Sequence, residues 1–170
     1  MRIQIIGYSG SGKSTLAQRL GEMYGLPVLH LDTVQFYGNW NERSPEEQNA
    51  RVQKFLEENE GWVIDGNYAR VCPQRFSMAD VCIFLDFARV PCLAASLRRW
   101  WQYRGKARPS LGCEEKFDAE FFWWIMHEGR TKAQRAQHEA HFAAAKQGVR
   151  LCTRRQVNKY LASLPAPGRA

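Results

Sequence analysis

The chain has 170 residues, 45% hydrophobic and 24% charged, a usage that excludes a disordered or fibrous polypeptide and fits one compact core. Lys and Arg outnumber Asp and Glu by 24 to 17, a net charge of +7 that favours anionic partners such as nucleotides, nucleic acid or anionic lipid without choosing among them. The 5 cysteines, odd in number and without a Cys-x-x-Cys pair, exclude a disulfide framework or a zinc ribbon and suit reduced thiols in a cytoplasm.

In chain order, Ile3–Ile6 reads as a strand running into a glycine-rich loop, so near the start that no cleavable leader is expected. A helix follows over Lys13–Tyr24, then a strand over Pro27–Leu31. Ser44 and Pro45 signal the start of a helix reaching Asn59. Strands are predicted at Gly61–Ile64 and Val81–Leu85, and a helix from about Pro91 to Tyr103. Residues 104–113, rich in glycine, proline and positive charge, read as a loop. Beyond it a helix is predicted from Glu114 to about Lys146 with a break near Gly129, then a strand at Val149–Cys152, a helix at Arg154–Ser163 and a frayed tail at Pro165–Ala170. Five strands separated by crossover-length segments argue for an α/β protein, a parallel sheet covered by helices on both faces. Phe117, Phe121, Trp124 and Ile125 share one helical face and are expected first in the core and only secondarily at a site. The apolar stretch Phe121–Met126 is far below the roughly 20 residues that cross a bilayer, so no membrane span is expected.

The strongest signal is Gly7-Tyr8-Ser9-Gly10-Ser11-Gly12-Lys13-Ser14, which matches G-x-x-x-x-G-K-[ST] between a predicted strand and a predicted helix. Gly10 and Gly12 let the backbone close around a phosphate, and amides of Gly7, Ser9 and Ser11 through the helix start face the anion. Lys13 brings a positive charge to the β and γ phosphates, and Ser14 a hydroxyl to Mg²⁺; Thr15 either contacts the α phosphate or packs in the helix. Mg·ATP is therefore the implied ligand.

Three acids follow apolar strands, where a parallel sheet gathers its ligands: Asp32, Asp65 and Asp86. Asp65, before the Gly66-Asn67 turn, is assigned to Mg²⁺ through its waters. Asp32 is either an acceptor-binding, proton-accepting group or a turn carboxylate; Asp86 reads as structural. Arg98, Arg99, Arg104, Lys106 and Arg108 form an acid-free run interleaved with Trp100, Trp101 and Tyr103. Three readings stay open: a lid whose arginines, Arg104 and Arg108 among them, stabilise a transferring phosphoryl group; a nucleic-acid surface; or a solvated helix face with buried tryptophans. Arg130 and Arg135 extend the basic series as substrate-binding candidates. His138 and His141 lack both a third ligand and the H-E-x-x-H spacing, so no metal site is expected there, and His30 reads as an interior or turn histidine.

The loop, Asp32, Trp62-Val63-Ile64-Asp65-Gly66-Asn67-Tyr68, Phe84-Leu85-Asp86 and Arg104-Gly105-Lys106-Ala107-Arg108 together resemble the bacterial family of DNA topology modulation proteins, a branch of the adenylate-kinase-like P-loop proteins. That resemblance implies a three-layer fold with a five-stranded parallel sheet in order 2-3-1-4-5 and a helical lid at about residues 98–135 of a domain spanning 1–164, with 165–170 as a flexible tail. It also implies Mg·ATP as ligand, Arg70 near the acceptor, and Thr153 and Arg154 near adenine. The adenylate kinase pattern Asp-Gly-aromatic-Pro-Arg is met at Asp65-Gly66, but Asn67-Tyr68-Ala69-Arg70 lacks its proline. The expected activity is ATP-dependent phosphorylation of a nucleoside-like or nucleotide-like acceptor. The alternatives are an ATP-binding, DNA-associated protein using residues 98–108, or nucleotide binding without turnover.

Overall fold

The computed structural model describes residues 1–165 apart from 39, 107–109, 112, 113, 115 and 116. Its strands are β1 (Arg2–Gly7), β2 (Val28–His30), β3 (Phe36–Tyr37), β4 (Asn41–Glu42), β5 (Trp62–Asp65), β6 (Val81–Leu85) and β7 (Gln147–Leu151). The helices are α1 (Lys13–Tyr24), α2 (Leu31–Gln35), α3 (Pro45–Glu58), α4 (Arg75–Met78), α5 (Arg89–Tyr103), α6 (Ala119–Met126), α7 (Lys132–Ala144) and α8 (Arg154–Ser163).

The five strands of the main sheet are all parallel and lie in the order β2-β5-β1-β6-β7. With the small β3–β4 ribbon set aside, this is the expected 2-3-1-4-5 arrangement. β1, β5 and β6 are buried almost throughout, which is why they read as continuous apolar runs rather than alternating ones. One core cluster runs from α1 and β1 through β6 to Leu151, Val157 and Leu161; a second joins Leu31, Val34, Val52 and Leu56 to Trp62 and Ile64 of β5. Burying such side chains stabilises the fold by roughly 1.5–3 kcal/mol each before chain entropy is counted.

Local chemistry sets the helix ends. Ser44 caps α3 by accepting from Glu47 N, with Pro45 in the first position and Glu46 and Glu47 favouring the positive helix end. α1 stops at Gly25, whose φ of 62° is left-handed and whose N–H donates to Gly21 O. Pro91 lies inside the first turn of α5, where an absent N–H forfeits no helical bond.

The predicted break near Gly129 is present, and what is corrected is the bounds: α6 begins at Ala119 rather than Glu114, and α7 ends at Ala144 rather than near Lys146. Asp118 starts α6 by accepting from Phe121 N, a 3₁₀ turn covers Glu128–Arg130, and Thr131 caps α7 through Gln134 N. Two side-chain caps thus cut one periodic stretch into two helices. Ile125 is buried and Phe117 and Phe121 pack against the core, whereas Trp124 is 39% exposed and lines a cleft. β7 begins two residues earlier than expected: pairing with β6 draws Gln147 and Gly148 into the sheet despite weak strand propensity. α2, the β3–β4 ribbon and α4 carry no strong sequence signal. Parts of the predicted 104–113 loop and the tail from 166 onward lie outside the described residues. Among the described residues no helix is long and apolar enough to cross a membrane.

Candidate phosphate-binding cleft

Between β1 and α1 the chain makes a closed glycine loop. Gly7 (φ 147°) leaves the strand against Leu85, whose carbonyl would lie 2.6 Å from an added Cβ. Gly10 (φ 78°) passes so close to α5 that a Cβ there would lie 2.2 Å from Cys92 O. Only glycine combines that approach with that backbone region. Ser11, fully buried, donates its N–H to Tyr8 O at 3.1 Å, tightening the loop, and Gly12 (φ 95°) is the cap from which α1 begins. The first amides of α1 have no partner within the helix and, with its dipole, favour an anion at this end. Lys13 folds back onto the loop, its Nζ donating to Gly7 O at 2.9 Å and Tyr8 O at 3.2 Å. Burial pushes the Lys13 ammonium below its usual pKa, while Asp32 and Asp65 oppose that shift.

The acids predicted from sequence meet this loop from the strand ends. Ser14 Oγ donates to Asp65 Oδ2 at 2.8 Å, and the other carboxylate oxygen contacts His30 Nδ1 at 2.5 Å. His30 and Asp65 are register partners across β2 and β5. Asp32, in the first turn of α2, accepts from the Tyr68 hydroxyl at 2.7 Å. Burial first, and Asp32 after it, raise the Tyr68 phenol above its usual pKa, keeping it a donor. Asn67 spans from the β5 end to the loop: its Oδ1 accepts from Gly7 N at 3.0 Å and its Nδ2 donates to Gly7 O at 2.7 Å.

These groups face a cleft of ≈ 1480 Å³ that the loop shares with α5, α6 and the ribbon. Ser9, Gly10, Gly12, Lys13, Ser14 and Thr15 line it, as do His30 and Asp32. Ser9 Oγ accepts from Trp124 Nε1 at 3.3 Å, tying α6 to the loop. Arg154 lies across Gly12 with its guanidinium 5.1 Å from the Phe87 ring centre, and donates to Gly10 O at 3.5 Å. Arg130 is held by Phe87 O (2.8 Å) and Ile125 O (3.1 Å) with its guanidinium 3.8 Å from the Tyr8 ring centre. Arg98 and Arg99 line the same cleft.

Other candidates lie apart from this lining. Arg70 is exposed beyond Tyr68, and Arg104 is exposed with its guanidinium 5.5 Å from the Trp100 ring centre. Arg135 binds Asp86 at 3.3 Å, and Arg150 joins the same carboxylate at 3.3 Å, which gives Asp86 its structural role. Arg108 is outside the described residues. His138 is buried edge-on to Tyr8 with both ring nitrogens unpartnered, and burial lowers its pKa to about 4. Sequence reasoning missed His30, Asn67 and Tyr68 as site residues, and ranked Trp124 first as core. His30 ends its strand as Asp65 does, the one signal that could have linked them.

The Ser14 hydroxyl and the Asp65 carboxylate are hard oxygen donors of the kind Mg²⁺ takes alongside water and phosphate oxygens. Among the described residues no cluster of three or more His, Cys, Asp or Glu could hold a metal unaided. Glycine approach, helix end, ammonium and oxygen pair together fit a magnesium-bound polyphosphate.

No family model and no curated protein matches the chain. Among solved structures it is similar to an uncharacterized protein from Eubacterium ventriosum ATCC 27560, with TM-score 0.51, 16% identity, and coverage of 96% of this chain and 100% of that one. It is also similar to a shikimate kinase from Acinetobacter baumannii in complex with shikimate, with TM-score 0.57, 14% identity, and coverage of 94% and 90%. At such identities the likeness is one of architecture: the chain shares with that structure an α/β fold, here built on a five-stranded parallel sheet.

Proposed function

We propose that the chain is a Mg·ATP-dependent phosphotransferase whose acceptor is a small hydroxylated molecule of nucleoside or nucleotide type. The observation that carries this reading is the Ser14–Asp65 hydrogen bond at the mouth of a glycine loop that also holds Lys13. In this reading the loop amides and Lys13 bind the phosphates, and Ser14 with Asp65 holds the metal, Asp65 acting through water. Bound Mg²⁺ would supply charge neutralisation on the phosphate oxygens. Asp32, hydrogen-bonded by Tyr68, orients the acceptor hydroxyl, and Arg98, Arg99 and Arg130 offset negative charge across the cleft. Arg154 contacts the nucleotide beside Gly12, and residues of about 98–135 act as the lid. The free thiols Cys72, Cys82, Cys92 and Cys152 fit a reducing cytoplasm.

The test is transfer of the γ-phosphoryl group of labelled ATP to a panel of nucleosides, nucleotides and hydroxy acids that includes shikimate. Lys13→Ala should lower transfer by on the order of a hundredfold or more with an unchanged circular dichroism spectrum. Unchanged turnover in that variant would reject the assignment, and ATP binding without transfer to any acceptor would leave a nucleotide-binding protein.

A second reading, suggested by the resemblance to DNA topology modulation proteins, has one observation in its favour. Trp101 is 74% exposed on the solvent side of α5, near Arg104 and Lys106 in the sequence. Exposed aromatics with cations suit nucleic acid. Salt-dependent DNA affinity that disappears in a Trp101, Arg104 and Lys106 triple alanine variant would support it; equal affinity would exclude this surface.

A further inference from the structure

We propose that His30 is a positioning residue for the metal site: it holds Asp65 in the orientation in which Ser14 and Asp65 present their oxygens to the Mg²⁺ of a bound nucleotide. This inference rests on the nucleotide-binding half of the function proposed above.

The pairing follows from the sheet. β2 and β5 run parallel with His30 opposite Asp65, so the two side chains leave the same sheet face as neighbours. Asp65 is only 4% exposed, and a carboxylate so far from water needs hydrogen bonds at both oxygens. It has one at each: Ser14 Oγ to Oδ2 at 2.8 Å and His30 Nδ1 to Oδ1 at 2.5 Å. A carboxylate offers lone pairs alone, so Nδ1 carries the hydrogen. Ser14, having spent its proton on Asp65, keeps its lone pairs for a cation.

The three groups form a chain of dependence. Without the His30 hydrogen bond the carboxylate can turn about its last torsion, and the Ser14 hydroxyl loses the acceptor that aims it. His30 is poorly suited to bind the metal itself: Nδ1 is engaged, and Mg²⁺ prefers oxygen to imidazole. Its place is behind the ligand, where removal of such a partner typically weakens metal binding 10–100-fold, an order-of-magnitude range.

The experiment measures ATP affinity by calorimetry, with Mg²⁺ and with EDTA, for the wild type and three variants. His30→Leu should lose about tenfold or more of the tightening that Mg²⁺ confers on ATP, with its Mg²⁺-free ATP affinity unchanged. His30→Asn, whose Nδ2 stands where Nδ1 stood, should keep most of that tightening. His30→Gln, whose amide matches the far ring nitrogen instead, should lose it, and this polar variant serves if His30→Leu does not fold. Wild-type magnesium tightening in His30→Leu or His30→Gln overturns the proposal, as does an equal loss of affinity with and without Mg²⁺, which would mark a general structural role. Failure of the underlying reading looks different: the wild type itself would bind no ATP, or Lys13→Ala would bind it unchanged.

Discussion

Replacing Asn67 with alanine tests the link between the sheet and the glycine loop. β1 continues to Gly7, but its β5 neighbour ends at Asp65, where Gly66 (φ 133°) turns the chain away under Leu31. The Gly7 N–H and carbonyl, which a longer β5 would have paired, are instead paired by the Asn67 amide. In Asn67→Ala the Gly7 carbonyl keeps Lys13 Nζ at 2.9 Å, so the group left without a partner is the buried N–H. An orphaned buried donor costs about 1–3 kcal/mol. For a chain of this size each kcal/mol moves the unfolding midpoint by roughly 2–4 °C, so a fall of about 2–12 °C is expected. Because Gly7 is the hinge from which the loop departs, Mg·ATP affinity should fall as well. Asn67→Asp keeps an acceptor for the N–H but sets a second carboxylate oxygen against the Gly7 carbonyl, and it should be at least as damaging at neutral pH. Thermal unfolding with and without Mg·ATP measures both effects. An Asn67→Ala protein with the wild-type midpoint and wild-type nucleotide affinity would refute the reasoning.

The glycines of the loop should differ in kind. Gly10→Ala drives a Cβ to 2.2 Å from the Cys92 backbone and should destabilise by roughly 2–5 kcal/mol, strain and overpacking combined, whereas Gly12→Ala meets only the movable end of Arg154 and should cost about 1–2 kcal/mol. Denaturant unfolding of the two variants decides; equal midpoints would count against the close α5 approach. His138 titrates near 4 when folded, below the usual 6.5, so it contributes stability above about pH 6.5 that is lost as the pH falls toward 4, on the order of 3 kcal/mol. His141, also lowered to about 4 by burial and then by Arg75, acts in the same direction. His138→Phe should flatten this acid limb in melting curves taken between pH 4 and 7; an unaltered limb would mean that His138 is not buried neutral. Trp124→Phe removes the N–H that reaches Ser9 and should change the intrinsic fluorescence response to ATP while leaving the fold intact. A response identical to the wild type would place the reporting tryptophan elsewhere.

Much of the architecture was legible because its causes are local. The apolar runs of β1, β5 and β6 announce strands covered on both faces, and Ser44-Pro45 announces the start of α3. The glycine loop is legible for the same reason: the positive φ of Gly10 and Gly12 calls for glycine by local geometry, and the close approach of α5 to Gly10 adds a tertiary constraint on the same residue. Where a short polar side chain competes with periodicity, as at Asp118, the pattern misled: the helix predicted from Glu114 begins only at Ala119, behind the Asp118 cap, although the break near Gly129 was legible.

The five strands and the glycine loop could be read along the chain, since period and turn geometry act between near neighbours. Tertiary structure alone decided which distant side chains meet: His30 against Asp65 through strand register, Asn67 at Gly7 because β5 stops short, and Tyr68 on Asp32. It also decided which cations share the cleft, drawing Arg130 onto Tyr8 while Arg135 goes to Asp86. Such choices depend on where each strand ends and how each helix packs, which only the assembled sheet and its covering layers establish.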